Sequence, residues 1–329
     1  MTRRRIPTAA VLLATAALLA SCGGDGEGDD DRGSAGAPPP ASAADFPDAG
    51  SRTIAELRED VGPGPVLSPA VLVLQPGEEN RFGFGLFDRS RKQISQAQAA
   101  LYVADEQGRD VQGPFPADWH SLAVKPEFQS ESVTADPTSA KSYYTAQLPF
   151  DEPGDYQVLG LVMLDGRLVA ADPIAVKARD DWQVPAVGDP APRTSTPTVE
   201  DVGGVIERID TRVPPAPDLH EHDFADVVGK QPVLLVFATP ALCQSRVCGP
   251  TVDVLKQVKG AHEGDAAFVH MEIYEDNEVE RGFREQVREW NLPTEPWAFA
   301  IDAEGNVAAR LEGAFGAEEL ERALQAATG

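Results

Sequence analysis

Pro232-Val-Leu-Leu-Val-Phe-Ala-Thr239, running on into Pro240-Ala-Leu-Cys243-Gln-Ser-Arg246-Val-Cys248-Gly-Pro250-Thr251, is the stretch on which the fold turns. An unbroken apolar run of strand length between prolines reads as a strand buried on both faces. Two cysteines follow it at once, with four residues between them. In a continuous helix, residues five apart have Cα atoms about 8–9 Å apart and point about 140° away from each other. A disulfide needs Cα atoms within about 7 Å. If the pair is to bond, Cys243 must lie in a loop outside the helix. Proline is comfortable only in a helix's first turn, so Pro250 starts the helix near Gly249 and places Cys248 at its mouth.

Outward from this stretch the two periods alternate. Residues 251–259 form an amphipathic helix with Val254, Leu255 and Val258 on one side, and 267–273 read as a strand. Residues 278–290 read as a helix with the stripe Phe283, Val287 and Trp290. Residues 297–301 and 307–311 form a hairpin across Asp302-Ala-Glu-Gly305, and 317–326 a last helix. The order βαβαββα implies a mixed sheet with helices on both faces.

That order, with cysteines after the first core strand and a proline just before the hairpin, resembles the thioredoxin fold over 218–329, about a third of the chain. The resemblance assigns Pro296, in Pro293-Thr-Glu-Pro296-Trp-Ala-Phe-Ala-Ile-Asp302, to the family's cis-proline. It also makes Glu295 the residue that faces the cysteines and a partner chain. The spacing departs from the family's CxxC. Val236 stands where thioredoxins bury an acid, and Leu242 stands where they carry an aromatic residue. A thiolate at Cys248 would feel the positive end of the helix and Arg246, which makes Cys248 the expected nucleophile and Cys243 its resolving partner. A carboxylate at Glu295 opposes this by raising thiol pKa.

The preceding unit, 63–178, consists of short strand-like runs at 70–74, 81–87, 99–103, 142–148, 156–164 and 167–176. They are separated by turn residues such as Pro76-Gly77, Pro153-Gly154 and Asp165-Gly166. It resembles an immunoglobulin-like sandwich without intersheet cysteines. His120 stands alone in it and reads as a surface residue. The chain is therefore expected to be multidomain, an N-terminal all-β immunoglobulin-like sandwich followed by an α/β thioredoxin-like fold. A Pro-rich linker at 179–217 joins them, with a short helix or strand around 202–209.

At the N-terminus, Arg3 to Arg5 precede an apolar run at 9–20 that is short for a bilayer span, and Leu19-Ala20-Ser21-Cys22-Gly23 follows. This resembles the signal and lipobox of bacterial lipoproteins. The resemblance implies removal of 1–21, lipidation of Cys22 and an extracytoplasmic protein anchored to the cell membrane. Residues 22–62, rich in Gly, Asp, Ala and Pro, read as a disordered acidic tether. Removing 1–21 takes away three arginines and no acid, so the formal charge moves from −25 to −28. Such a chain is a poor ligand for nucleic acid and is repelled by anionic head groups.

Outside the cytosol, paired cysteines serve either as a permanent staple or as a reversible redox couple. The redox reading takes protein thiols or disulfides as partners and needs no metal or organic cofactor. Delivery of copper, as in Sco-type proteins, is the alternative, with His270, His220 and His222 as the histidines to consider. His270 falls in a central strand and reads as a core residue, while His220 and His222 read as surface residues. A peroxidase motif PxxxTxxC fits poorly, since Pro240 is eight positions before Cys248 and Ser245 falls where the threonine belongs. A non-catalytic binding module with a structural disulfide is the last reading. The sequence leaves the oligomeric state open.

Overall fold

A computed structural model describes residues 37–243 and 246–329. The export segment, Cys22 and the first part of the tether lie outside the described residues, as do Gln244 and Ser245. No described helix is long and apolar enough to cross a membrane.

The N-terminal lobe is a pair of sheets packed face to face. Its strands are β1 (Gly62–Pro63), β2 (Val66–Pro69), β3 (Glu79–Phe87), β4 (Gln98–Asp105), β5 (Gln112–Pro116), β6 (Asp118–Ser121), β7 (Ser142–Pro149), β8 (Gly154–Leu164), β9 (Arg167–Ala170) and β10 (Ile174–Ala178). One sheet runs β2-β3-β7-β6. The other runs β1-β9-β8-β4-β5, with β10 also on β8. Phe82, Phe84 and Leu86 of β3 meet Leu101, Val103, Val158 and Val162 across the gap.

The run 167–176 is two strands rather than one. Pro173 has no N–H for a ladder, so β9 pairs the C-terminal half of β8 and β10 pairs its N-terminal half. Residues 70–74 form no strand beyond a single bridge at Leu74, whereas β2, β5 and β6 add short strands beyond those read from pattern.

β4 is apolar on both faces, and the chain supplies a cover for the second one. Ala99, Leu101 and Val103 face the sandwich core. Ala100, Tyr102 and Ala104 face outward onto Phe46, Ala49, Ile54 and Leu57. These four belong to residues 37–62, which contain α1 (Ile54–Glu59). Thr53 caps that helix by accepting from the Glu56 N–H at 3.2 Å. The expectation of a tether continuing to residue 62 is thereby corrected. Four apolar side chains with a doubly apolar strand to cover are enough to order this part of an otherwise polar stretch.

The C-terminal lobe is built on the mixed sheet β12-β11-β13-β14, from β11 (Val233–Phe237), β12 (Ala267–Met271), β13 (Trp297–Ile301) and β14 (Val307–Glu312). β11 and β12 are parallel and the other pairs antiparallel. The pleat divides β11 between two cores. Val233, Leu235 and Phe237 join Phe224 of α3 (Phe224–Val227) and Trp290. Leu234, Val236 and Ala238 join α4 (Cys248–Ala261) and α6 (Ala317–Thr328) on the opposite face. This two-sided burial is what the unbroken apolar run demanded.

The helix expected over 278–290 shrinks to α5 (Glu285–Glu289). One 3-10 turn, Val279–Arg281, and Gly282, with φ 79°, occupy its first half, although Val287 and Trp290 keep their place in the core. Residues 179–217, read as linker, lie against the folded lobes and bury Val184, Thr194, Ile209, Asp210 and Arg212.

Buried ionic contacts join the lobes. The Arg81 guanidinium donates twice to Glu319 of α6, at 2.8 and 2.7 Å, and to the Glu312 and Ala314 carbonyls. Tyr143 donates to the same carboxylate at 2.5 Å. Asp253 of α4 accepts from the N–H and hydroxyl of Ser130, which precedes α2 (Glu131–Ala135) in the N-terminal lobe. It also accepts from Arg212 at 2.9 Å.

Candidate functional site

β11 delivers the chain to the centre of the sheet, and the loop after Phe237 returns it to the start of α4. Cys248 is the first residue of that helix, and Pro250 falls in its first turn. Cys243 lies before it, outside the helix, the arrangement a bond between the two would need. Opposite them the Glu295–Pro296 peptide is cis and leads directly into β13. The two sulfurs and a carboxylate oxygen of Glu295 all lie within 4.8 Å of one another. Cys243, Cys248, Glu295 and Pro296 are thus gathered at one corner of the lobe. No disulfide joins the two cysteines here, and their sulfurs lie within reach of each other.

The two cysteines differ in access. Cys243 is half-buried, whereas Cys248 has no exposed surface and packs with Leu234, Val236 and Val252. Burial pushes the Cys248 thiol well above its usual range, and contact with Cys243 and the charge of Glu295 push the same way. The expectation that Cys248 is the attacking thiol is corrected here. Desolvation of a thiolate in an apolar core outweighs the field of one helix terminus. Arg246, which was to assist it, is exposed at a left-handed φ of 63°. The sulfur that a partner can reach is Cys243.

Glu295 is also unlike the ionised group expected from its type. Its carboxyl is pushed up to about 8, chiefly by burial, then by the negative charge of Cys243 and of Glu272. At pH 7 such a group is about nine-tenths protonated, so it stands beside the thiols as a mostly neutral acid. Tyr274 reaches Oε1 through its hydroxyl at a long 3.5 Å, and the buried Oε2 has no hydrogen-bond partner.

Two nearby residues were not singled out from sequence. Glu272, buried just past β12, accepts from the Thr211 N–H at 2.7 Å, and burial raises its pKa. Tyr274 follows it, with a phenol pushed up to about 12 by burial and then by Glu295. Their signal was present. His270-Met-Glu272-Ile-Tyr274 sets polar side chains at alternate positions of an apolar strand, all on one side of the pleat.

The histidines fall elsewhere. His270 and His220 are fully buried beside Asp210, so His220 is no surface residue, while His222 is exposed. Among the described residues no histidine joins the cysteine cluster. His120 is half-buried, stacked on Tyr143 and 2.7 Å from the Thr145 hydroxyl.

The C-terminal lobe thus carries a four-stranded mixed sheet with helices on both faces and two thiols at the start of α4. Two solved structures are similar to part of the chain. One is described as a thiol:disulfide interchange protein DsbE from Chlorobium tepidum. It is 19% identical with a TM-score of 0.32, covering 44% of this chain and 99% of that one. The other is a thiol:disulfide interchange protein, thioredoxin family protein, from Chlorobium tepidum TLS. It is 21% identical with a TM-score of 0.28, covering 44% and 100%. No protein-family model and no curated protein matches the chain. At these scores the two structures say nothing of what the chain does.

Proposed function

We propose that the protein exchanges thiols and disulfides with extracytoplasmic protein partners, held to the cell membrane by a lipid on Cys22. One observation carries the chemistry: two sulfurs and a carboxylate oxygen lie within 4.8 Å, with one sulfur accessible and the other sealed. Cys243 attacks one sulfur of a partner disulfide. A bond from Cys243 to the partner forms as the partner's S–S bond breaks, and the other partner sulfur leaves as thiolate. Cys248 gives up its proton and attacks the Cys243 Sγ. The Cys243–Cys248 bond then forms, the mixed disulfide breaks, and the second partner sulfur leaves reduced.

The partner gains two electrons and the chain loses two; run backwards, the same steps oxidise a partner dithiol. The ionised fraction of Glu295 is placed to take the Cys248 proton, because its Oε2 has no other partner. Glu295 and Pro296 border the groove for the partner chain.

Thiol trapping during a redox titration tests this. Cys248→Ser accumulates a mixed disulfide through Cys243, and Cys243→Ser forms none. Adducts on Cys248 alone reverse the roles. A pair that resists glutathione, with a potential below about −300 mV, is a structural staple, and the lobe is then a binding module. The same three groups could instead hold a soft metal ion, as a copper-delivery protein would require. Copper(I) titration of the reduced protein separates that reading, since exchange predicts no tight, stoichiometric uptake.

A further inference from the structure

Asp210, His220 and His270 come together from three separate stretches. Asp210 follows the 3-10 turn at Ile206–Arg208, His220 ends the turn at Pro217–Leu219, and His270 sits in β12. None of the three is more than 1% exposed, and one ligand atom from each lies within 4.8 Å of the others. We propose that they form a buried site for a divalent first-row transition-metal ion, separate from the cysteines, tying the 179–217 stretch to the central sheet.

The hydrogen-bond accounts favour an ion over a purely protonic network. His270 Nε2 is 3.0 Å from the Ala238 carbonyl, an acceptor only, so that nitrogen carries the proton. Its Nδ1 then faces Asp210 Oδ1 at 3.8 Å with no hydrogen-bond partner. His220 Nε2 faces Asp210 Oδ2 at 3.6 Å, and neither ring nitrogen makes a well-formed hydrogen bond, although the Pro197 carbonyl lies close to the ring. These gaps exceed the 2.7–3.2 Å of an N–H···O bond. They lie close to the roughly 3.3 Å between ligands that each sit about 2.0–2.1 Å from one tetrahedral ion. Buried imidazole nitrogens without partners are costly, and an ion satisfies them together.

Charge leads to the same place. The carboxylate is aimed from behind by the Arg212 N–H at 2.8 Å and the Ala216 N–H at 2.6 Å, the outer support that metal ligands need. The Arg212 guanidinium is spent on Asp253 and on the Pro214 and Phe128 carbonyls. No lysine or arginine is paired with Asp210 among the described residues, and its ionic neighbours are the two imidazoles themselves. Two imidazoles and one carboxylate suit zinc, copper(II), nickel and iron(II) rather than magnesium or calcium.

His220 forms part of the wall of a surface hollow of about 800 Å³, which is also lined by Glu200, Asp201, Glu221 and Asp226 and by no lysine or arginine. Such an acidic hollow concentrates cations next to the buried triad.

The test uses the full chain with Cys243→Ser, Cys248→Ser and His222→Gln, which removes the sulfur cluster and the exposed histidine of the hollow. Cobalt(II) and zinc are the probes. The expected result is uptake of one ion per chain, with visible cobalt bands but no thiolate charge transfer. The X-ray absorption of the zinc form should show a nitrogen/oxygen shell with two imidazoles. His220→Gln or Asp210→Asn in this background should weaken uptake by more than the roughly 10–100-fold that outer-support changes cost. Zinc should also raise the melting temperature of the parent but not of either variant. The proposal is overturned if the folded parent takes up neither ion, if the bound zinc has no imidazole ligand, or if folded His220→Gln binds as the parent does. Should the variants fail to fold, the parent's uptake and ligand shell decide by themselves.

Discussion

The two lobes bury polar groups of different kinds. In the sandwich the polar side chains of buried residues are hydroxyls and an amide: Asn80, Ser130, Ser139, Ser142 and Thr145. Among the described residues every fully buried Asp, Glu, His and Arg falls between Asp210 and Glu319, and the sandwich adds only the mostly buried Arg81 at the junction. A protein that needs only packing from a lobe has no reason to desolvate charge in it, because each unpaired buried ion costs several kcal/mol. Buried charge is therefore concentrated in the C-terminal lobe, and the sandwich is packed almost without it. The ions at their junction, Arg81 with Glu319 and Arg212 with Asp253, hold the lobes together.

Loss of chemistry is the largest effect this contrast predicts. Cys243→Ser should abolish exchange measured with a disulfide-linked partner peptide, whereas no single hydroxyl deletion in the sandwich should change it measurably. Next come the junction ions. Arg212→Met leaves Asp253 without its cation in the interior and should cost about 3–5 kcal/mol in urea unfolding. Arg81→Met should cost about the same, and a loss under 1 kcal/mol in either would show that the junction is wet or loose.

A smaller, pH-dependent effect belongs to Glu295. Its folded pKa of about 8 lies above the ordinary 4.5, so between these values the folded state binds more protons than the unfolded state. Its contribution is thus most favourable below about pH 4.5 and is lost as pH rises towards 8. Glu295→Gln should remove that slope, so its stability relative to the parent should rise between pH 5 and pH 8. A difference that stays flat across that range would show that Glu295 is ionised in the fold. The smallest effect is expected in the sandwich. The Ser142 hydroxyl is buried with no hydrogen-bond partner, so Ser142→Ala should change unfolding free energy by no more than about 0.5 kcal/mol.

Much of the C-terminal lobe was legible because its signals are local. The run at 232–239 is apolar throughout since the pleat gives alternate residues to two cores, and Pro250 marks the helix start whatever packs against it. The place of Cys243 outside the helix followed from bond geometry, given that the pair is able to join. Helix 278–290 was overestimated because its apolar stripe survives in the core while a tight turn at Val279–Arg281 and Gly282 break the backbone. The cover over β4 was missed because Phe46, Ile54 and Leu57 are sparse in a polar stretch and gain their burial only against a strand 40 to 60 residues away.

Which cysteine is accessible was decided by tertiary structure. Sequence places Cys248 at a helix mouth, where the backbone field favours thiolate. Only the packed lobe shows that Leu234, Val236 and Val252 remove it from water, and desolvation is the larger energy. The same holds for Glu295, whose type says ionised and whose surroundings say mostly neutral, and for Asp210, His220 and His270, which no spacing links. Order along the chain fixes periodicity, breaks and reach, because these depend on neighbours a few residues apart. Charge state and clustering depend on what excludes water from a point in space, and that is set by residues brought from far along the chain.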